Sequence, residues 1–166
     1  KLSKNNFSKT IFVLPYVLES KKQDVLVKLI RSLVSGKDHF GIVYVGDLMG
    51  TKVILGNSGL VARMFKSIID SNTLTVPKRE VFLYPVKTSD VAKEIVKLTF
   101  SFGLGGQEIA VVSPRVSLKE FIEEFKNQVP RLAIVYTNQT VLRKRLDVSK
   151  NFVLKTATCP EGFIAH

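Results

Sequence analysis

The chain contains little that could hold it together covalently or through a metal. It has one cysteine, Cys159, two histidines, His39 and His166, and no tryptophan among 166 residues. A single thiol excludes an internal disulfide and points to a reducing compartment inside the cell, the cytoplasm or the mitochondrial matrix. Two isolated histidines leave no His/Cys cluster of metal-ligand spacing, so no metal and no cofactor is expected. No apolar run approaches ~18 residues, so no membrane insertion is expected. Acids are scarce too, 14 Asp+Glu against 25 Lys+Arg. Opening on Lys1 rather than methionine, the chain reads as a processed or excised piece.

Hydrophobic residues make up 45% of the chain, enough for one domain with a core of its own. A net charge of +11 and a pI near 9.8 point to a polyanionic partner, with nucleic acid first and an anionic membrane surface second. The cations lie among periodic apolar segments, so they decorate a folded surface.

Residues 1–9 are a polar, basic arm, 10–158 a single domain, and 159–166 a loose tail. Strands are expected at Thr10–Tyr16, Phe40–Val45, Lys52–Leu55, Glu80–Tyr84, Glu108–Val112, Leu132–Tyr136 and, at an edge, Phe152–Leu154. Helical spacing marks Glu19–Val34, where Val25, Leu26, Leu29, Ile30 and Leu33 form the apolar face. Further helices are expected after Gly59, over Val91–Phe102, from Ser117 to Lys126 with Glu120 at capping-box spacing, and over Thr140–Leu146. Asp70–Arg79, with Pro77, reads as a connector and hinge. Apolar strands alternating with helices predict an α/β fold with a mixed, mostly parallel sheet of five to seven strands and helices on both faces. The matching openings TIFVLPY and EVFLYP suggest two similar halves.

Catalytic motifs are thin. Gly46-Asp47-Leu48-Met49-Gly50-Thr51-Lys52 has the wrong spacing and order for a phosphate-binding P-loop. Gly105-Gly106-Gln107 matches the tripeptide of peptide-release factors but runs straight into a strand, as a helix stop would. His39 has no nucleophile motif near it. Glu120, Glu123 and Glu124 lie beside Lys119 and Lys126 as a solvated helix face. Ser113-Pro114-Arg115 and Thr156-Ala157-Thr158 echo motifs of superfamily-two helicases without that family's lysine loop or acidic box. With no acid/base pair, a non-catalytic protein is preferred over an enzyme.

Cationic candidates are clearer. Gly56-Asn57-Ser58-Gly59 opens a helix whose N–H groups can receive a phosphate, and Arg63 and Lys66 share one face of it. Arg143-Lys144-Arg145, after Tyr136-Thr137-Asn138-Gln139, is the densest cluster and suits phosphate and base contacts.

Lys52-Val53-Ile54-Leu55-Gly56-Asn57, then Leu60-Val61-Ala62-Arg63, and Ser89-Asp90-Val91-Ala92-Lys93 with Leu98, follow one another in a known order. Over about residues 50–128 the chain resembles the large-subunit ribosomal stalk-base family, ribosomal protein L-ten. That resemblance implies ribosomal-RNA binding by the face around Lys52, Asn57 and Arg63. The expected function is therefore non-catalytic RNA binding in a ribonucleoprotein, a divergent or mitochondrial ribosome, with RNA and ribosomal proteins as partners. The expected RNA-binding residues are Lys52, Asn57, Arg63, Lys66, Arg143, Lys144 and Arg145. The alternative is a Rossmann-like nucleotide-binding or helicase-related domain, with its ligand at a strand end.

Overall fold

The structure, a computed structural model, describes residues 9–49, 59–100, 104–138, 141–148 and 152–154. β1 (Thr10–Pro15) and β2 (Val17–Leu18) precede α1 (Lys21–Val34). β3 (Phe40–Val45) and β4 (Asp47–Met49) follow, then α2 (Leu60–Ser71) and β5 (Thr73–Pro77). β6 (Phe82–Leu83) and β7 (Pro85–Lys87) lead into α3 (Thr88–Phe100). Next come β8 (Glu108–Val112), β9 (Val116–Ser117) and α4 (Leu118–Gln128), then β10 (Ala133–Thr137), β11 (Lys144–Arg145) and β12 (Phe152–Leu154).

The largest hydrogen-bonded sheet among the described residues has four strands in the order β1-β3-β8-β12, all parallel. The α/β class and the mostly parallel pairing expected from the alternating pattern are what the structure shows. The other strands pair in twos: β5 with β10 and β4 with β7 in parallel, β2 with β11 and β6 with β9 antiparallel.

β3 reads as a continuous apolar run because both of its faces are covered. Ile42 and Tyr44 join Val27, Ile30 and Val34 of α1 in one cluster. Val43 and Val45 join Val91 of α3 and Val111 of β8 in another. A third cluster packs Met64 and Phe65 of α2, Leu74 and Val76 of β5, and Phe121 and Phe125 of α4. Tyr44 is fully buried, and its hydroxyl accepts from Arg31 Nε at 2.6 Å while Arg31 Nη2 reaches Glu108 at 3.0 Å. Burial pushes the Tyr44 hydroxyl up to about 12.

Local signals explain the ends. Ser20 Oγ accepts from the Gln23 N–H at the start of α1, and Gly36 beyond its end takes φ +71°. Ser117 and Glu120 form the reciprocal capping box of α4.

Three expectations are corrected. On α1 the buried stripe is Val27, Ile30 and Val34, while Val25, Leu26, Leu29 and Leu33 are exposed. The sheet takes the β-branched row, about 100° around the helix from the leucine row. The connector around 70–79 contains β5, whose Leu74 and Val76 are fully buried, so it is core and not a hinge. The segment around 141–146 is extended rather than helical, because β11 pairs with β2. The strand expected at 52–55 lies outside the described residues.

Candidate functional site

Parallel α/β sheets receive ligands beyond the carboxyl ends of their strands. Here β1 ends at Pro15 and β3 at Val45, and the chain beyond β3 passes directly over Tyr84. Only glycine fits at position 46, because a Cβ there would collide with the Tyr84 carbonyl oxygen. That close approach lets Asp47 and Tyr84 lock together: the Asp47 N–H donates to the Tyr84 carbonyl and the Tyr84 N–H to Asp47 Oδ2, each at 2.8 Å.

Arg143 comes to this junction from the extended segment that carries β11. Its side chain is 5% exposed. Nη1 donates to Glu19 Oε1 at 2.6 Å, and Nη2 to both Asp47 oxygens at 2.8 and 2.7 Å. A buried guanidinium needs such compensation, since an isolated buried charge is costly. Arg143 Nε is buried with no hydrogen-bond partner, and an unmade bond of that kind costs ~1–3 kcal/mol. Glu19 also serves α2, because its Oε1 accepts the Leu60 N–H at 3.0 Å at the start of that helix. The N-cap residue Gly59 has no side chain for this role, so a carboxylate from the other side of the junction supplies it. The helix start expected to receive a phosphate therefore already holds one anionic group.

Next to the junction a cleft of about 430 Å³ opens between the segment after β5 and the β11 segment. Arg79, Arg143 and Arg145 line it with Glu80, and Phe82 and Leu142 contribute apolar wall. Arg79 and Arg145 form no ion pair among the described residues, unlike Arg143. The cleft's size falls within the usual ~300–1,000 Å³ of small-molecule sites. Tyr16, buried behind Tyr84 with their rings edge to face at 5.2 Å, has its hydroxyl pushed up by burial, against the pull of Arg145.

Of the residues expected to bind RNA, Arg63 and Arg143 meet at Glu19, 3.5 Å and 2.6 Å from its two oxygens, and Lys144 and Arg145 follow Arg143 as β11. Arg143 is buried in ion pairs, Lys144 is exposed with Nζ 3.4 Å from Asp24, and Arg145 lines the cleft. Arg63 is on the exposed side of α2, 3.5 Å from Glu19, and Lys66 is exposed on the same helix. Lys52 and Asn57 lie outside the described residues, as does Thr156-Ala157-Thr158. His39 lies at the entry to β3, away from the cleft-lining residues. Sequence reasoning missed Glu19, Asp47, Arg79 and Tyr84. The available signals were an acid directly after a strand-ending glycine, Gly46-Asp47, and the basic pair Lys78-Arg79 closing a buried strand. Among the described residues no group of His, Cys, Asp and Glu could hold a metal ion, and no helix is long and apolar enough to cross a membrane.

No protein-family model matches the chain, and no curated protein matches it in sequence. Its fold, however, is similar to that of solved structures. The NAD-dependent NDP-hexosamine 5,6-dehydratase TunA, of tunicamycin biosynthesis, matches with TM-score 0.62 and 13% identity over 85% of this chain and 55% of that one. MoeE5, in complex with UDP-glucuronic acid and NAD, matches with TM-score 0.60 and 9% identity over 93% of this chain and 58% of that one. L-threonine dehydrogenase from Phytophthora infestans matches with TM-score 0.56 and 15% identity over 71% and 41%. The chain thus spans about half the length of the structures it matches, and its fold is Rossmann-like. These likenesses correct the expectation of an RNA-binding ribosomal protein: the similar structures are an NAD-dependent dehydratase, a protein solved with UDP-glucuronic acid and NAD, and a dehydrogenase. Within the densest cationic cluster Arg143 is held in an internal ion-pair junction, while Lys144 and Arg145 are exposed.

Proposed function

We propose that this chain is a nucleotide-binding domain of the kind found in NAD-dependent sugar-nucleotide dehydratases and dehydrogenases. Its ligand lies in the arginine-lined cleft next to the junction of Arg143 with Glu19 and Asp47. The observation that carries the reading is the convergence of Arg79, Arg143 and Arg145 on one cleft in a Rossmann-like fold. Among the described residues two of these arginines have no carboxylate partner while the third is fixed by Glu19 and Asp47, an arrangement suited to holding an anion in a defined place. The strong positive balance of the chain then serves attraction of a small polyanion.

The test is a thermal-shift and calorimetric panel with NAD, NADH, ADP, UDP and UDP-glucuronic acid. At least one nucleotide should raise the melting temperature in a saturable way. No shift and no heat with any of the five would overturn the reading.

A further inference from the structure

The four-stranded sheet has one side that nothing among the described residues covers. β1 is its edge strand and pairs with β3 alone. The N–H groups of Thr10 and Tyr16 donate to the carbonyls of His39 and Val45, so the even-numbered residues of β1 turn their backbone toward β3. Ile11 and Val13 therefore each aim an N–H and a carbonyl at the open side. Edge strands are commonly blunted by charge, a bulge or proline. β1, Thr-Ile-Phe-Val-Leu-Pro, has no charged residue, and Pro15 closes only its far end.

The helix above that edge is apolar on the same side. Arg31 marks the flank of α1 that faces β8, because it reaches Glu108 there. Leu26 and Leu33 lie about 140–160° around the helix from Arg31 with the buried stripe between, which puts them on the flank over the β1 edge. Both are half exposed, as is Val13. The strand also complements itself. Set antiparallel to its own copy about a two-fold axis at Phe12, Ile11 stands opposite Val13 of the copy, and each such pair exchanges two N–H···O bonds. Phe12, on the α1 side of the sheet beside Phe40, meets its counterpart at the axis, and no charge in either strand faces its like. The helix row alone is too small for a stable contact. A strand and a helix each about 20 Å long, one above the other, match the ~800 Å² that each partner of a specific pair buries.

We infer that this side is an interface with a second copy of the chain. β1 pairs antiparallel with β1 of the copy to make one continuous sheet, and Leu26 and Leu33 close over the join.

Sedimentation of the whole chain from about 1 to 200 µM tests it, with hydrogen exchange at both ends of that range. The mass should rise from 18.5 kDa toward twice that value, and the Ile11 and Val13 amides should become protected as it does. Val13→Lys and Leu33→Gln should each weaken association about tenfold with unchanged circular dichroism, while Val25→Gln, on the exposed row pointing away from sheet and edge, should leave it as it was. Each copy carries +11, so association through an uncharged edge should tighten as salt rises. A chain that stays at 18.5 kDa throughout would overturn the inference. So would a dimer whose Ile11 and Val13 amides exchange freely, a dimer that loosens with salt, or wild-type association by both interface variants.

Discussion

Nη2 of Arg143 sits between the two carboxylate oxygens of Asp47, 2.8 Å from one and 2.7 Å from the other. With Glu19 on Nη1, one guanidinium ties together the chain after β2, the chain after β3 and the β11 segment. Replacing Arg143 with Met takes the cation from Asp47 and leaves Glu19 with Arg63 alone, and should cost ~3–5 kcal/mol, read as a lower urea midpoint. Adding Glu19→Gln and Asp47→Asn to the same variant should recover a large part of that loss. A triple variant no more stable than Arg143→Met alone would refute the ion-pair account.

Gly46→Ala tests the crossing of the two chain segments beside this junction. The new Cβ would meet backbone, which cannot yield as a flexible side chain can. A loss of ~1–3 kcal/mol is expected, together with weakened nucleotide binding as Tyr84 and Asp47 shift. Unchanged thermal unfolding would show that the crossing is looser than described.

Tyr44 gives the fold a dependence on alkaline pH. An unfolded tyrosine ionises near 10, and the buried one keeps its proton to about 12. Its raised value means that this contribution is complete below pH ~10 and fades as pH climbs toward 12. Urea midpoints measured from pH 8 to 12 should fall more steeply for the wild type than for Tyr44→Phe. Parallel curves would exclude Tyr44 as the source.

At the start of α4, Ser117→Ala should cost ~1 kcal/mol by opening the capping box. The Glu120 carboxyl is held low by hydrogen bonds from Ser117. The stabilisation it adds is therefore present above the ordinary carboxylate range and lost as pH falls through it. Chemical denaturation at pH 7 and pH 3 should show the Ser117→Ala difference shrinking in acid.

Where the sequence carried a strong local signal, structure followed it. β3, β8, the capping box and the glycine stop at Gly36 are all set by neighbours within a few residues. α1 shows what local pattern leaves open: two apolar rows run along it, and only the sheet decides which is buried. By equilibrium unfolding, Val27→Ala should consequently cost ~1–3 kcal/mol, whereas Leu29→Gln should change stability by no more than ~0.5 kcal/mol. The cleft was less legible still. Glu19, Asp47, Arg79 and Arg143 are scattered over 124 residues between the first and last, and a strand pairing of two residues brings the last one home. No spacing rule reaches that far, so nothing in the basic run set Arg143, the buried clasp, apart from the exposed Lys144 and Arg145 beside it.

Glu19 divides its carboxylate between a guanidinium and the leading amide of a helix. Under the nucleotide-binding proposal, an anion that drew Arg143 away from Glu19 would change how firmly Leu60 N–H is kept from water, since both donate to Glu19 Oε1. The protection of that single amide against deuterium is thus a remote gauge of occupancy, readable without any label placed in the cleft.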